Sequence, residues 1–227
     1  MNHFVKQLIL FAILLLTIQT AHGALIIDTE PASLAEEAWV LTNEQFLAAE
    51  FVLGRSYKIT DVQGWIGTQT VPGWIGSKTN VNLRYTIRKD DSTSGEIPPG
   101  QIPGEVPGSI IYSQTLELAV EEDAGWRGPS GLNWNLSAGT YWLSFEADVY
   151  TSEGFYWCMP FPANIPLSNY AFSDNTAGNP VWYEYDELNL GVRIYGEQQG
   201  ANIPEPATLL LLGLGLIALA GSRRFNN

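Results

Sequence analysis

From Val81 to Arg88 the chain alternates without a break. Val81, Leu83, Tyr85 and Ile87 are apolar, and Asn82, Arg84, Thr86 and Arg88 between them are polar. A period of two sends the two sets to opposite faces of an extended chain, so this stretch predicts a half-buried β-strand. Thr140 to Asp148 alternates in the same way, with Trp142 on the otherwise polar face, and Leu188 to Ile194 repeats the pattern. Shorter strand-like runs are Glu50–Leu53, Tyr57–Ile66, Ser109–Val120, Leu132–Leu136, Phe155–Met159, Tyr170–Ser173 and Val181–Tyr185. Turn-forming segments divide them, among them Asp90–Gly95, Pro107-Gly108 and Ala138-Gly139. Only Leu34–Leu47, where Ala, Glu and Leu gather, predicts a turn or two of helix. Neither a βαβ alternation nor a nucleotide-binding loop is found. Many short strands without helical crossovers predict an all-β, antiparallel sandwich or barrel.

The two ends follow a different pattern. Residues 1–23 have one lysine at Lys6, an apolar core from Leu8 to Ile18 and a small-residue site at Ala21-His22-Gly23. That layout predicts a secretory signal peptide removed after Gly23, the alternative being an uncleaved anchor with a rather short apolar core. At the other end Pro204-Glu205-Pro206 precedes an uncharged apolar run, Ala207–Gly221, and then Ser222–Asn227 with Arg223 and Arg224. Two prolines fix φ and remove two backbone donors, so the first piece is extended and exposed. A helix over the run reaches roughly 22 Å against a hydrocarbon core of about 30 Å, short for a permanent span. The arginines behind it are a stop-transfer signal that stays cytoplasmic. The expected organisation is a signal peptide at 1–23, an ectodomain at 24–200 and a terminal segment at 202–227. The last divides into the motif 204–206, a transmembrane segment 207–221 and a basic tail 222–227.

The order of Pro204-Glu205-Pro206, the Ala-Thr-Leu-Leu-Leu-Leu-Gly-Leu-Gly-Leu run and Arg223-Arg224 resembles the PEP-CTERM sorting signal of bacteria that make exopolysaccharide. The resemblance spans about residues 202–227. It implies transient insertion in the inner membrane, processing at or near the motif by a protease of the exosortase type, and release to the cell surface or matrix. Glu205 is then the residue of the motif that matters most. The plain alternative is a single-span anchor with a coincidental Pro-Glu-Pro. Four short stretches give a second resemblance. They are Ala49–Gly54, Pro107–Ser113, Leu136–Ser144 and Leu190–Gly196, in that order. They are similar to the jelly-roll-like β-sandwich modules found ahead of bacterial surface-sorting tails, which share an architecture with carbohydrate-binding sandwiches. Architecture alone carries no function.

Charge narrows the partners. The whole chain carries −13. Lys6, Arg223 and Arg224 lie in the terminal segments, so the eleven basic residues become eight against 24 acidic ones, and residues 24–206 carry −16. Nucleic acid and anionic membrane surfaces are poor partners for such a domain, and neutral polymers or divalent cations better ones. Solubility in a matrix is the plain reading of the charge.

Composition also narrows the chemistry. The two histidines, His3 and His22, both fall in the signal peptide. The mature chain therefore has no Ser-His-Asp or Cys-His nucleophile and no imidazole metal site. A single cysteine, Cys158, excludes an internal disulfide, and its neighbours Tyr156, Trp157 and Met159 predict a small buried hydrophobe. No enzyme and no cofactor are expected. Calcium is the one metal for which oxygen ligands abound, with Asp90 and Asp91 (near Glu96) or Asp186 and Glu187 as candidates, though neither pair fits an EF-hand loop. The rival enzymatic reading is a glycan-active protein using a carboxylate pair. Glu146 and Asp148 are two apart on one strand, roughly 6–7 Å between Cα atoms. Glycoside hydrolysis needs carboxyls about 5–9.5 Å apart. Ser56 with Lys58, or Ser77 with Lys78, is too weak a match for a Ser-Lys dyad.

Eight Trp and ten Tyr, all in the mature part, exceed what the core requires. Flat aromatic faces next to amides and carboxylates suit sugar rings. Trp65, Trp74, Trp142, Trp182, Tyr183 and Tyr185 form the candidate ligand platform. Trp65 and Trp74 stand in a local repeat, Gly64-Trp65-Ile66-Gly67 and Gly73-Trp74-Ile75-Gly76, which suits a hairpin showing both rings on one side. For each ring the plain alternative is a place in the core. These readings converge on a matrix-associated binding or structural protein, possible partners being exopolysaccharide and the processing protease. A passive surface component is the plainest alternative.

Overall fold

The computed structural model describes residues 23–31, 38–70, 80–93, 105–119, 124–148, 155–160, 165–175, 180–185 and 188–200. In chain order the strands are β1 (Ala24–Asp28), β2 (Ala38–Leu41), β3 (Gln45–Leu53), β4 (Tyr57–Thr70) and β5 (Asn80–Lys89). Then come β6 (Ser92–Thr93), β7 (Glu105–Val106), β8 (Ile110–Ala119), β9 (Gly125–Arg127) and β10 (Trp134–Leu136). The last are β11 (Gly139–Ala147), β12 (Phe155–Pro160), β13 (Tyr170–Asp174), β14 (Val181–Glu184) and β15 (Val192–Gln198). Every pairing is antiparallel. A seven-stranded sheet runs β1-β15-β4-β12-β2, with β9 and β10 also on the long strand β4. A six-stranded sheet runs β14-β13-β3-β11-β5-β8, and β6 with β7 makes a separate two-stranded ribbon. The chain is an all-β antiparallel sandwich, and no described residue is helical.

The alternation seen in the sequence builds the core. Leu47, Ala49, Phe51 and Leu53 of β3, Leu83, Tyr85 and Ile87 of β5, and Leu143 and Phe145 of β11 point to one side. They meet Ile59, Val62 and Ile66 of β4 and Val192 and Ile194 of β15. Tyr85 keeps its hydroxyl satisfied by donating to the Arg127 carbonyl at 2.8 Å, and burial holds the phenol well above its usual pKa. Cys158 is buried as expected, and burial pushes its thiol up to about 11.

The helix expected at Leu34–Leu47 is corrected wherever that span is described. Ala38–Leu41 and Gln45–Leu47 are strand, and residues 34–37 lie outside the described residues. The cause is the place of β3, paired on one side with β11 and on the other with β13. Both of its faces are covered from Phe46 to Phe51. A strand buried on both faces loses the alternation that identifies it and reads as a continuous apolar run. The outer face of this sheet is covered as well. Phe46, Ala48, Trp142 and Ala171 pack there under Val106 of β7 and Trp182 of β14.

The register separates two ends of the sandwich. At one, Ala24 pairs with Gly196, Gln198 with Tyr57, and Leu53 with Gly139. Ala24 at the start of β1 and Gln198 at the end of β15 therefore lie at the same end, on adjacent strands. The β2–β3 turn, the start of β5 and the ends of β11 and β13 gather at the opposite end.

One close approach is essential to this packing. A Cβ on Gly128 would sit 1.9 Å from the Val62 carbonyl oxygen and 2.8 Å from the Gln63 Cα, both backbone atoms. Gly128→Ala is therefore expected to destabilise the fold by about 1–3 kcal/mol. Urea unfolding of the variant checks this, and an unchanged midpoint would refute the packing described.

Candidate functional site

A cleft of about 680 Å³ opens at the end away from both termini. Asn43 and Glu44 form one lip, Asn82 and Arg84 of β5 with Thr115 of β8 the other, and Glu146 to Asp148 and Asn175 complete it. The lip is built locally by Thr42. Its hydroxyl accepts from the backbone N–H groups of Glu44 and Gln45, both at 3.2 Å, which fixes a tight turn. Asn175 then clamps that turn, donating from its backbone N–H to the Glu44 carbonyl at 2.8 Å and from Nδ2 to the Asn43 carbonyl at 2.9 Å. On the other side Asp148 donates its N–H to the Asn82 carbonyl at 3.1 Å.

The floor is an ion cluster on the outer face of the six-stranded sheet. The Glu146 side chain is 1% exposed and lies between two guanidinium groups. Arg88 Nη2 donates to its Oε1 at 2.9 Å, and Arg84 closes an ion pair with Oε2. Ser144 Oγ donates to Oε1 at 2.8 Å. Arg88 also donates Nε to Ser144 Oγ at 3.2 Å and Nη1 to the Gly108 carbonyl at 3.1 Å, with the Trp182 ring 5.5 Å from its Cζ. Burial alone would raise the Glu146 carboxyl. Arg88, then Arg84 and Ser144, more than offset this and hold it below the usual range.

Glu146 and Asp148, paired on spacing alone, do line one cleft. Yet Glu146 is held as an anion with its oxygens engaged, the reverse of what a general acid needs.

The expected aromatic platform is dispersed. Trp142, placed on a face from its neighbours, is 0% exposed, and its Nε1 donates to Asp90 Oδ1 at 3.0 Å. Trp182 is 6% exposed and stacks over Arg88. Both are corrected to interior positions, because they share one buried cluster with Val106 of the β6–β7 ribbon. Tyr185 packs edge-on against Trp39 at 5.1 Å and Phe172 at 5.9 Å, and Tyr183 lies 5.4 Å from Phe172. These rings close the side of the sandwich between β2 and β13–β14. Trp65 is half-buried on the outer face of the other sheet, edge-on to Trp126 at 5.3 Å. Trp126 in turn carries the Arg193 guanidinium at 4.0 Å, and Arg193 pairs with Asp28 at 3.0 Å.

The calcium candidates have structural partners. Asp90 accepts from Trp142, and Asp91 takes the Ser109 N–H at 2.9 Å and its hydroxyl at 2.8 Å, which holds the Asp91 carboxyl below its usual pKa. Among the described residues no three acidic or sulfur and imidazole side chains converge on one point. Trp74, Glu96, Asp186, Glu187, Pro204, Glu205, Pro206, Arg223 and Arg224 lie outside the described residues. Sequence reasoning missed Asn43, Asn82, Arg84, Thr115 and Asn175. Their one signal was polar residues at strand ends, which is common to most loops.

Residues 202–224 match the family described as the PEP-CTERM protein-sorting motif. No curated protein matches the chain. The chain thus carries a motif for exosortase-dependent sorting, which implies export and membrane-associated sorting.

Proposed function

We propose that the sandwich is a non-catalytic module that binds a neutral, hydroxyl-rich matrix polymer of the exopolysaccharide class once it has reached the surface. The observation that carries this reading is the position of the cleft. It opens at the end opposite Gly200, so a domain still held by its tail turns the cleft away from the membrane. Its lining supports the ligand class. Exposed Asn82 offers a donor and an acceptor and exposed Thr115 a hydroxyl, groups that match sugar hydroxyls, while Asn175 holds the opposite lip in place by donating to the Asn43 carbonyl. The net charge of residues 24–206 disfavours a polyanionic polymer. The anionic state of Glu146 argues against the rival carboxylate hydrolase, for which Asp148→Ala would have to abolish a measurable turnover.

Co-sedimentation of the mature protein with the host's exopolysaccharide, with and without calcium, tests the reading. Saturable binding is expected. Asn82→Ala combined with Thr115→Ala removes two exposed cleft groups, each contributing about 1 kcal/mol, and should weaken it about 30-fold. Absence of binding in both conditions, or binding lost only in Trp65→Ala, would contradict the cleft reading.

A further inference from the structure

We infer that the end of the sandwich from which both termini leave is a membrane-contact surface, seated on the lipid headgroup layer until the tail is processed. This rests on insertion of the C-terminal tail in the bilayer. Three of the five large apolar side chains exposed on the described surface ring this end. Leu25 is 48% exposed, Val52 59% and Ile110 53%. The register brings them to one level: Leu25 pairs with Tyr195, Val52 with Thr140, and Ile110 with Arg88. Leu25 stands on one sheet and the other two on the opposite sheet, so the three form a collar rather than one patch. Scattered singly they would need no explanation. Gathered at the end that carries the tail, they have one.

The tail sets the distance. Gln199 donates its N–H to the Ser56 carbonyl at 2.9 Å, which ties the chain to the folded domain up to Gly200. From Gly200 to Ala207, the first residue of the apolar run, the fully extended chain reaches about 25 Å. The motif occupies part of that length, so this end of the domain cannot move far from the bilayer. Tethering at such a distance raises the local concentration into the millimolar range, where weak apolar contact suffices.

Charge agrees with the orientation. Among the described residues, Asp61 stands level with Leu25 through Tyr195, and Arg55, Lys58 and Lys89 at this end are set against Glu197 and the adjacent pair Asp90 and Asp91. Lys58 pairs with Glu197 at 3.2 Å, and the two aspartates accept from Trp142 and Ser109. Among the described residues, Glu44 and Asp148 at the cleft and Asp174 and Glu117 beside it add further acid at the opposite end. The described charges at the end that faces lipid are therefore close to balanced, and burial of aliphatic side chains drives the contact.

The test uses the full chain in phosphatidylcholine vesicles that carry a nitroxide-labelled lipid. A fluorophore is placed at Lys89→Cys in one sample and at Asp148→Cys in another, the buried Cys158 thiol being left unlabelled. Flotation with the vesicles reports tail insertion, and a chain that fails to float overturns the tail reading and this inference together. For floating protein, strong quenching at position 89 and little at position 148 is expected. Equal quenching at both positions overturns the contact. A Gly/Ser insertion of about twelve residues after Gly200 frees the domain to drift. Retained quenching at 89 shows affinity of the surface itself, and a fall to the level of position 148 overturns it. The lengthened chain carrying Leu25→Asn, Val52→Asn and Ile110→Asn is expected to lose quenching at 89, and unchanged quenching there would refute the collar. No protease is present in the vesicles, so a surface that instead docks on the processing enzyme gives no quenching and fails the test.

Discussion

Glu205→Ala protein will accumulate in the membrane fraction at full length, with Arg223 and Arg224 still attached. The motif explains why. Pro204 and Pro206 each fix their own φ and together remove two backbone donors. Glu205 is thus the one charged side chain presented ahead of the apolar run. A carboxylate taken into a protease site through charged hydrogen bonds is worth about 1.5–3 kcal/mol, so its loss should slow processing about 10- to 100-fold. Pro206→Ala should act in the same direction by lifting the restriction proline places on φ. An epitope placed after Arg224 follows the uncut form on immunoblots. Unaltered processing of both variants would defeat the assignment of this motif as the processing signal.

The second large effect lies in the cleft floor. Glu146→Ala leaves Arg88 buried without its counter-ion, and breaking a buried pair in this way costs about 3–5 kcal/mol. In a domain of this size the melting temperature should fall by roughly 10 °C or more. Arg84→Ala should cost much less, about 1 kcal/mol at most, because the Arg84 side chain is 47% exposed and its bridge is screened. The pH dependence has a definite sign. The folded-state pKa of Glu146 is depressed, so its contribution is fully present above the unfolded value of about 4.3 and is lost as pH falls through the folded pKa below it. Glu146→Gln should remove that acid-side loss, leaving a flatter stability profile. Thermal melts across the acid range check both statements, and an Ala variant as stable as the parent would refute the buried network.

The inner face of the sandwich was legible because burial on one side leaves a period of two. Val81, Leu83, Tyr85 and Ile87 were identified as one face, and all four are in the core. The opposite face was misread. Thr86, Arg88, Ser144 and Glu146 look like solvent-facing positions, yet they are buried: the last three satisfy one another across β5 and β11, and the Thr86 hydroxyl pairs with that of Ser113 on β8. Arg88 and Glu146 are 58 residues apart, and nothing local to either announces the pair. Trp142 was misplaced for the same reason, since its polar neighbours belong to a covered network. The helix expected through Leu47 failed because β3 is central and apolar on both sides. For the site, the spacing of Glu146 and Asp148 pointed to the strand end where the cleft opens. The asparagines around them come from the β2–β3 turn, strand β5 and the segment after β13, joined only by register. The sorting motif was legible in full, because its order of rigid knuckle, apolar run and basic stub is a linear pattern.

The account is tested most directly by the intact mass of the protein recovered from the cell surface and medium. The mass expected is that of a chain beginning at Ala24 and ending at or near Pro204–Pro206, without the apolar run. A surface protein that retains residues 207–227 would contradict it.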